Sequence, residues 1–116
     1  MTTPNVHTVP ADGPPVAGEQ DALDLLGDAF GVGADVVVVP VERLSPEFFR
    51  LRTGVAGAVV QKFVNYRVRL VVLGDVSGHV DAGGPTADWI RETGRGRDVW
   101  FVADETELER RLAAVD

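Results

Sequence analysis

The sequence predicts an α/β protein: a single domain whose central, mainly parallel sheet has about four strands flanked by helices. Three short apolar segments, near residues 35–40, 69–74 and 98–103, are almost continuously hydrophobic, and such runs are typical of strands buried on both faces. Segments with helical periodicity lie between them, and strands that alternate with helices predict parallel pairing through right-handed crossovers. The length of 116 residues fits one domain.

Composition excludes several classes of protein. Hydrophobic residues make up 45% of the chain, enough to bury a core. The absence of cysteine excludes disulfides, thiolate chemistry and cysteine-type zinc sites. No apolar run approaches the roughly 18 residues that a membrane span needs. The chain start lacks the basic residues and apolar stretch of a signal peptide, so a cytoplasmic protein without a membrane partner is expected.

The charge is unevenly distributed along the chain. The net charge is −7, yet residues 43–116 are neutral, because the excess of acids lies in residues 1–42, which contain no Lys or Arg. This distribution argues against nucleic-acid binding, which requires a contiguous basic face. A local basic patch beside an acidic flank suits a protein partner, and the simpler alternative is solvated charge that keeps the protein soluble.

Residues 1–18 are expected to form an N-terminal arm or weak hairpin, separate from a domain at residues 19–116. Val6, Thr8 and Val9 could form a short strand, and residues 14–18 could return beside it. The prolines and glycines of this arm restrict any strand to the edge of a sheet.

The first half of the domain is predicted from helical spacing and helix-start signals. Residues 19–30 have a helical apolar stripe and end at glycine, and four consecutive valines then predict a buried strand. Ser45 followed by Pro46 is typical of a helix start, with the serine as N-cap. The main helix is expected at residues 53–66.

The second half continues the alternation. A strand at 69–74 is followed by a polar loop at 76–85, a helix at 86–92, a glycine-broken basic turn at 93–97 and a strand at 99–102. Asp104 and Glu107 have the spacing of a capping box, which predicts the start of the last helix.

The Thr53-Gly54 step is a candidate phosphoacceptor site. A hydroxyl at a helix N-terminus tolerates a phosphate because free N–H groups and the helix dipole stabilise negative charge. Arg50 and Arg52 lie nearby in sequence. The alternative is an ordinary N-cap threonine.

Polar residues at the end of the main helix are candidates for binding a ligand or a partner. Gln61 and Asn65 are i, i+4 neighbours on one helix surface. Lys62, Tyr66 and Arg67 accompany them. The alternative is a solvated helix face whose asparagine helps to end the helix.

Arg91, Arg95 and Arg97 could bind an anion through their guanidinium groups. The glycines of this turn follow a helix and precede a strand, which is the reverse of a phosphate-binding fingerprint. The alternative is a plain connection with exposed charges.

No catalytic or metal-binding constellation is visible. His7 and His79 lack the spacing of metal ligands, the serines lack a nucleophile elbow, and no carboxylate pair resembles an acid–base couple. We therefore expect no metal and no cofactor, and whether the protein is an enzyme stays open, with non-catalytic roles favoured.

Several segments resemble a bacterial family known as domain of unknown function 4180. The resemblance lies in residues 19–26, in the 48–66 segment with its QKFVNYR run at 61–67, in Gly74-Asp75 and in residues 90–102. It covers roughly residues 19–112 and implies no established activity.

More distantly, the layout is similar to STAS domains, the fold of anti-sigma-factor antagonists. Thr53-Gly54 would fall at their phosphorylatable Ser/Thr-Gly step, although Leu51 and Arg52 replace the acid and the first hydroxyl residue of that motif. This similarity implies a STAS-like regulatory module controlled by phosphorylation.

The functional expectation is a non-catalytic, regulatory protein-interaction module with an unidentified protein partner and a switch at Thr53. The alternative is a small-molecule-binding protein or small enzyme that uses Gln61, Asn65, Tyr66 and Arg67 with Arg95 or Arg97. A third possibility is a homodimer formed with the help of Trp89 and Trp100.

Overall fold

The computed structural model describes residues 4–114. Its regular elements, in chain order, are β1 (Val6–Thr8), α1 (Glu19–Gly31), β2 (Val36–Pro40), α2 (Val55–Asn65), β3 (Arg69–Leu73), α3 (Ser77–Asp81), α4 (Gly84–Gly94), β4 (Val99–Val102) and α5 (Glu105–Ala113). Three 3-10 helical turns, at Val41–Arg43, Pro46–Phe49 and Leu51–Thr53, fill the connection between β2 and α2.

The four strands form one sheet in the order β1-β2-β3-β4, and all neighbouring pairs are parallel. The α/β class with a parallel four-stranded sheet is therefore confirmed. Because each crossover advances to the next strand in the same direction and has the same hand, helices α1, α2 and α4 all pack on one face.

The valines of β2 explain why the sheet is buried on both sides. Val37 and Val39 join α1, α2 and α4 in the larger core. Val36 and Val38 point the other way and pack with Trp100 and with Leu108 of α5. Alternation along a strand sends neighbouring side chains to opposite faces, so an unbroken apolar run fits only a sheet covered on both.

Of the two forms predicted for residues 1–18, an arm or a weak hairpin, the described residues do not adopt the hairpin. β1 pairs in parallel with β2, while Val16 bridges Leu44 farther along the chain. Pro10, Pro14 and Pro15 lack the N–H groups that a hairpin ladder needs, whereas β2 offers a free edge. The arm is thus part of the sheet and of the core; residues 1–3 lie outside the described part.

One buried arginine ties this arm to the domain. Arg43 is 8% exposed and donates from Nε to the carbonyl of Pro14 at 2.9 Å and from Nη1 to that of Pro10 at 2.8 Å. These charge-assisted hydrogen bonds attach two exposed proline residues of the arm to the domain.

Three local predictions need correction. Ser45 occupies the N-cap position of the turn at Pro46–Phe49, as predicted, but it is buried and its Oγ makes no capping hydrogen bond. The main helix begins at Val55 because Gly54, at φ 77°, provides a left-handed break before it. The expected loop at 76–85 contains the short helix α3, and α4 begins earlier than predicted, at Gly84.

The capping box is confirmed. The Asp104 carboxylate accepts from the backbone N–H of Glu107 at 2.9 Å, and the Glu107 carboxylate accepts from that of Ala103 at 2.8 Å. None of the helices within residues 4–114 combines the length and the apolar character needed to traverse a bilayer.

Candidate functional site

The fold separates the sequence-predicted residues into two groups. In a parallel α/β sheet each helix returns antiparallel to the strands, so α2 begins at the carboxyl edge of the sheet and ends at its amino edge. An 11-residue helix is roughly 16 Å long, which sets the separation. The carboxyl-edge group is Arg52, Thr53 and Gly54; the amino-edge group is Gln61, Lys62, Asn65, Tyr66, Arg67, Arg91, Arg95 and Arg97.

The amino edge carries an exposed apolar patch. Among residues 4–114, the large apolar side chains that are exposed are Phe30 (53%), Val32 (57%), Val64 (37%) and Tyr66 (49%), and all lie at the ends of α1 and α2. The rings of Phe30 and Tyr66 meet edge-to-face with centroids 5.6 Å apart. We call these four residues, of which Phe30 and Tyr66 are in direct contact, the Phe30–Tyr66 patch. Concentrated apolar exposure of this kind marks contact surfaces.

Arg67 lies beside this patch in a strained conformation. Its φ of 58° makes it the one non-glycine residue in the left-handed region within the described part of the chain. The N–H groups of Arg67 and Val68 donate to the carbonyls of Val64 and Phe63 at 3.1 and 3.0 Å, which is the Schellman pattern at a helix end. Glycine is usual at this position, and strained residues concentrate at functional sites.

The polar residues beside the patch are paired with one another. The Gln61 side-chain amide donates to Asn65 Oδ1 at 2.8 Å, which confirms that they are neighbours on the helix surface. Lys62 pairs with Glu19 of α1 at 2.8 Å, and the hydrogen bond and charge of Glu19 raise the pKa of Lys62. The first bond lies within α2, and the ion pair joins α2 to the start of α1, at the opposite end of that helix from Phe30.

At the carboxyl edge, the Thr53 hydroxyl is engaged in local structure. The residue is exposed, but its Oγ1 is directed at the carbonyls of Glu47 and Arg50 at 2.7 and 2.8 Å and accepts from the N–H of Val55 at 3.2 Å. Gly54, not Thr53, occupies the N-cap position of α2. The geometry gives the hydroxyl a role in closing the turn, and a phosphoacceptor role stays a prediction.

The structure also shows a cleft that sequence reasoning missed. It lies at the carboxyl ends of β3 and β4, has a volume of about 290 Å³ and contains none of the sequence-predicted residues. Ligands of open α/β sheets bind at this edge. The signal available in the sequence was Gly74-Asp75 directly after a buried strand.

Two of the three carboxylates that line this cleft form local bonds. Asp75 accepts from the backbone N–H of Ser77 at 2.8 Å, and hydrogen bonds from Ser77 lower the pKa of Asp75. Glu107 belongs to the capping box already described. Within residues 4–114, no three His, Asp or Glu side chains come together in a way that could hold a metal ion.

The three arginines predicted to bind an anion, Arg91, Arg95 and Arg97, are all exposed, and an anion site formed by them stays a prediction. Arg91 lies 3.8 Å from Asp88 on its own helix. Arg97 instead shares a location with Arg69 and Arg111, which sequence reasoning had not selected: the Arg69 Nε donates to the carbonyl of Arg97. Strand β3 and helix α5 bring these distant residues together, so spacing along the chain gave no signal.

The two tryptophans occupy different environments. Trp89 is partly buried and meets Phe48 and Phe101 edge-to-face. Trp100 is only 4% exposed within the protomer. Trp100 thus offers little surface for a contact with a second copy, and the homodimer stays a prediction.

Comparison with known proteins identifies the family but not the activity. A family model described as domain of unknown function (DUF4180) matches residues 2–112. The chain belongs to the DUF4180 family. No curated protein and no solved structure matches it. The STAS resemblance of this DUF4180 domain thus stays a prediction.

Proposed function

We propose that this DUF4180 domain is a non-catalytic protein-interaction module whose contact surface is the Phe30–Tyr66 patch. The observation that carries the proposal is the concentration of exposed large apolar side chains at the ends of α1 and α2. Leaving a phenylalanine and a tyrosine half exposed forfeits hydrophobic stabilisation on the order of 1 kcal/mol or more per ring. A partner that covers both rings recovers it.

The size of the patch indicates what kind of partner it fits. From their exposed fractions, the four side chains offer roughly 350 Å² of surface, within the range of functional patches on monomers. A stable interface buries about 800 Å² on each side. The patch therefore suits a transient contact with a different protein that presents a short apolar segment, and it is too small to sustain a homodimer alone.

Charge beside the patch adds to this description. Arg67 is exposed, and among residues 4–114 it forms no ion pair, whereas neighbouring Lys62 is paired with Glu19. Tyrosine and arginine are enriched among the residues that dominate interface energies. We infer a partner segment that combines an apolar side chain for the rings with a carboxylate for Arg67.

The small-molecule alternative is less well supported by geometry. It would use Gln61, Asn65, Tyr66, Arg67 and Arg95 or Arg97, but the amides of Gln61 and Asn65 bond to each other on an exposed helix surface. Ligand sites are concave and bury most of the ligand. A convex helix end favours contact with a protein.

Phosphorylation of Thr53 would be a separate feature of this proposal. Thr53 precedes α2 whereas Tyr66 follows it, so a phosphate would affect the patch only through the length of the helix. Comparing wild type with Thr53→Glu in the experiment below tests this regulation. Unchanged partner capture would remove the switch and leave the interaction surface.

Site-specific photo-crosslinking in lysate of the source organism tests the proposal. Benzoylphenylalanine replaces Tyr66 in one bait and exposed Arg110, on the other side of the domain, in a control bait. We expect a discrete adduct at position 66 that is absent at 110 and weakened at least fivefold by Phe30→Ser. Equal adducts at both positions, or none at 66, would refute the surface. An adduct at twice the chain mass of 12.4 kDa would show a second copy and overturn the inference of a different partner.

A further inference from the structure

Two arginine side chains converge on one buried ring. The guanidinium carbons of Arg69, from β3, and Arg111, from α5, each lie 4.3 Å from the centroid of the Trp100 ring. Arginine above an aromatic face is held by the charge distribution of the ring and by packing. Trp100 therefore positions two cations that come from distant parts of the chain.

The turn between α4 and β4 fixes the orientation of these side chains. The carbonyl of Arg97 accepts a hydrogen bond from Arg69 Nε. The carbonyl of Gly94 accepts one from Arg111 Nη2 at 3.2 Å. The Trp100 indole donates to the Gly96 carbonyl at 3.2 Å. The same turn carries the exposed side chain of Arg97. A guanidinium has five N–H donors, so one bond to the turn leaves most donors of Arg69 and Arg111 available.

No carboxylate of the described residues forms an ion pair with these arginines, although the charge of nearby Asp98 acts on Arg69. Within residues 4–114 the ion pairs are Lys62–Glu19, Arg91–Asp88 and Arg110–Glu107, and none includes Arg69, Arg97 or Arg111. Burial lowers the pKa of Arg69, and the charges of Arg97 and Arg111 lower it further, against an opposing effect of Asp98. The charges of Arg97 and Arg111 thus disfavour the charged form of Arg69, and an anion bound to these guanidinium groups would offset that effect.

We propose that Arg69, Arg97 and Arg111 form a binding site for a multivalent oxyanion, the chemistry shared by phosphate groups and polycarboxylates. Guanidinium groups match such oxygens in pairs, and several cations favour a ligand with more than one negative charge. The site is independent of the Phe30–Tyr66 patch, because it lies on the face of the sheet that α5 covers. The net charge of −7 gives no long-range attraction for anions, so binding depends on this local geometry.

The experiment titrates the intact protein with inorganic phosphate and with citrate, and follows the arginine Nε–H signals by nuclear magnetic resonance at constant ionic strength. Sodium chloride is the reference titration. We expect saturable shifts of the Arg69 and Arg111 signals. The probe that binds with the higher affinity, phosphate or citrate, identifies phosphoryl or carboxylate groups as the preferred chemistry. Shifts that chloride reproduces in full would overturn the site and leave the arginines as structural partners of Trp100.

Matched variants locate the binding. Arg97→Gln changes an exposed side chain with little risk to folding, and Arg111→Gln removes one of the stacked groups. We expect each to weaken binding of the tighter probe at least tenfold, whereas Arg110→Gln, one position away on α5, changes it less than twofold. An equal loss in Arg110→Gln would show nonspecific attraction and contradict the proposal.

Discussion

Replacing Arg67 by glycine should stabilise the protein, although it removes a side chain from the proposed contact surface. A left-handed conformation costs an L-residue about 1–2 kcal/mol, and glycine escapes this cost. Glycine also loses more backbone entropy on folding, and this loss reduces the gain in stability by about 0.5–1 kcal/mol. The difference predicts a net gain of about 0.5–1 kcal/mol in the free energy of unfolding, because the Arg67 backbone lies at φ 58°.

Urea denaturation followed by circular dichroism measures this gain. For a chain of 116 residues it corresponds to a rise of about 2–4 °C in the melting temperature. Arg67→Ala is the control, since it removes the guanidinium but keeps a Cβ in the left-handed region, and we expect its stability to stay within about 0.5 kcal/mol of wild type. A glycine variant no more stable than the alanine variant would refute the assignment of strain to this backbone position.

The same two variants separate strain from recognition. If the guanidinium contacts a carboxylate of the partner, Arg67→Gly and Arg67→Ala should both weaken the crosslink at position 66, regardless of their different stabilities. A fully retained crosslink in Arg67→Ala would remove Arg67 from the contact surface and leave the apolar patch. The aromatic contribution is tested independently by Phe30→Ser.

Three further stability predictions use the same unfolding assay. Gly54→Ala should lower the free energy of unfolding by about 1–2 kcal/mol, because the backbone of Gly54 lies at φ 77°. Gly57→Ala should raise it by about 0.5–1 kcal/mol, because Gly57 lies within α2 and an added Cβ would meet open space. Equal effects of the two substitutions would contradict the backbone argument. Asp104→Ala should cost about 1 kcal/mol through loss of its cap bond, and Ser45→Ala should cost less, because its hydroxyl has no partner; the reverse order would favour capping by the serine. Arg43→Met should cost about 2–4 kcal/mol, since two proline carbonyls lose their charged donor, and an unchanged stability would show that the arm is not held by these bonds.

Local patterns in the sequence were sufficient for much of the fold. The side chains of four consecutive valines in β2 can all be buried only in a sheet that is covered on both faces. The alternation of strands with helices predicted parallel pairing of the strands. The Asp104–Glu107 spacing located the start of α5 because a capping box depends on residues three apart in sequence. The register of Gln61 against Asn65 followed from helix periodicity alone.

The N-terminal arm shows where local reasoning failed. Its short apolar segments are compatible with a hairpin, and only the free edge of β2 and the buried Arg43 decide that β1 pairs in parallel. Ser45-Pro46 does begin a helical turn, as its composition predicts, but the buried Ser45 hydroxyl makes no capping bond. In the arm, a contact distant in sequence overrides a local preference.

By itself, the sequence determined the α/β class, the strand segments and the presence of polar and basic residues around positions 61–67 and 91–97, because period and spacing act over a few residues. The tertiary structure alone decided which of these residues share a surface. Adjacent helix ends expose Phe30 beside Tyr66, the Schellman turn strains Arg67, and Trp100 gathers Arg69 and Arg111. Each of these arrangements either joins residues from different elements or depends on one backbone angle. None of the three is encoded in a local sequence pattern.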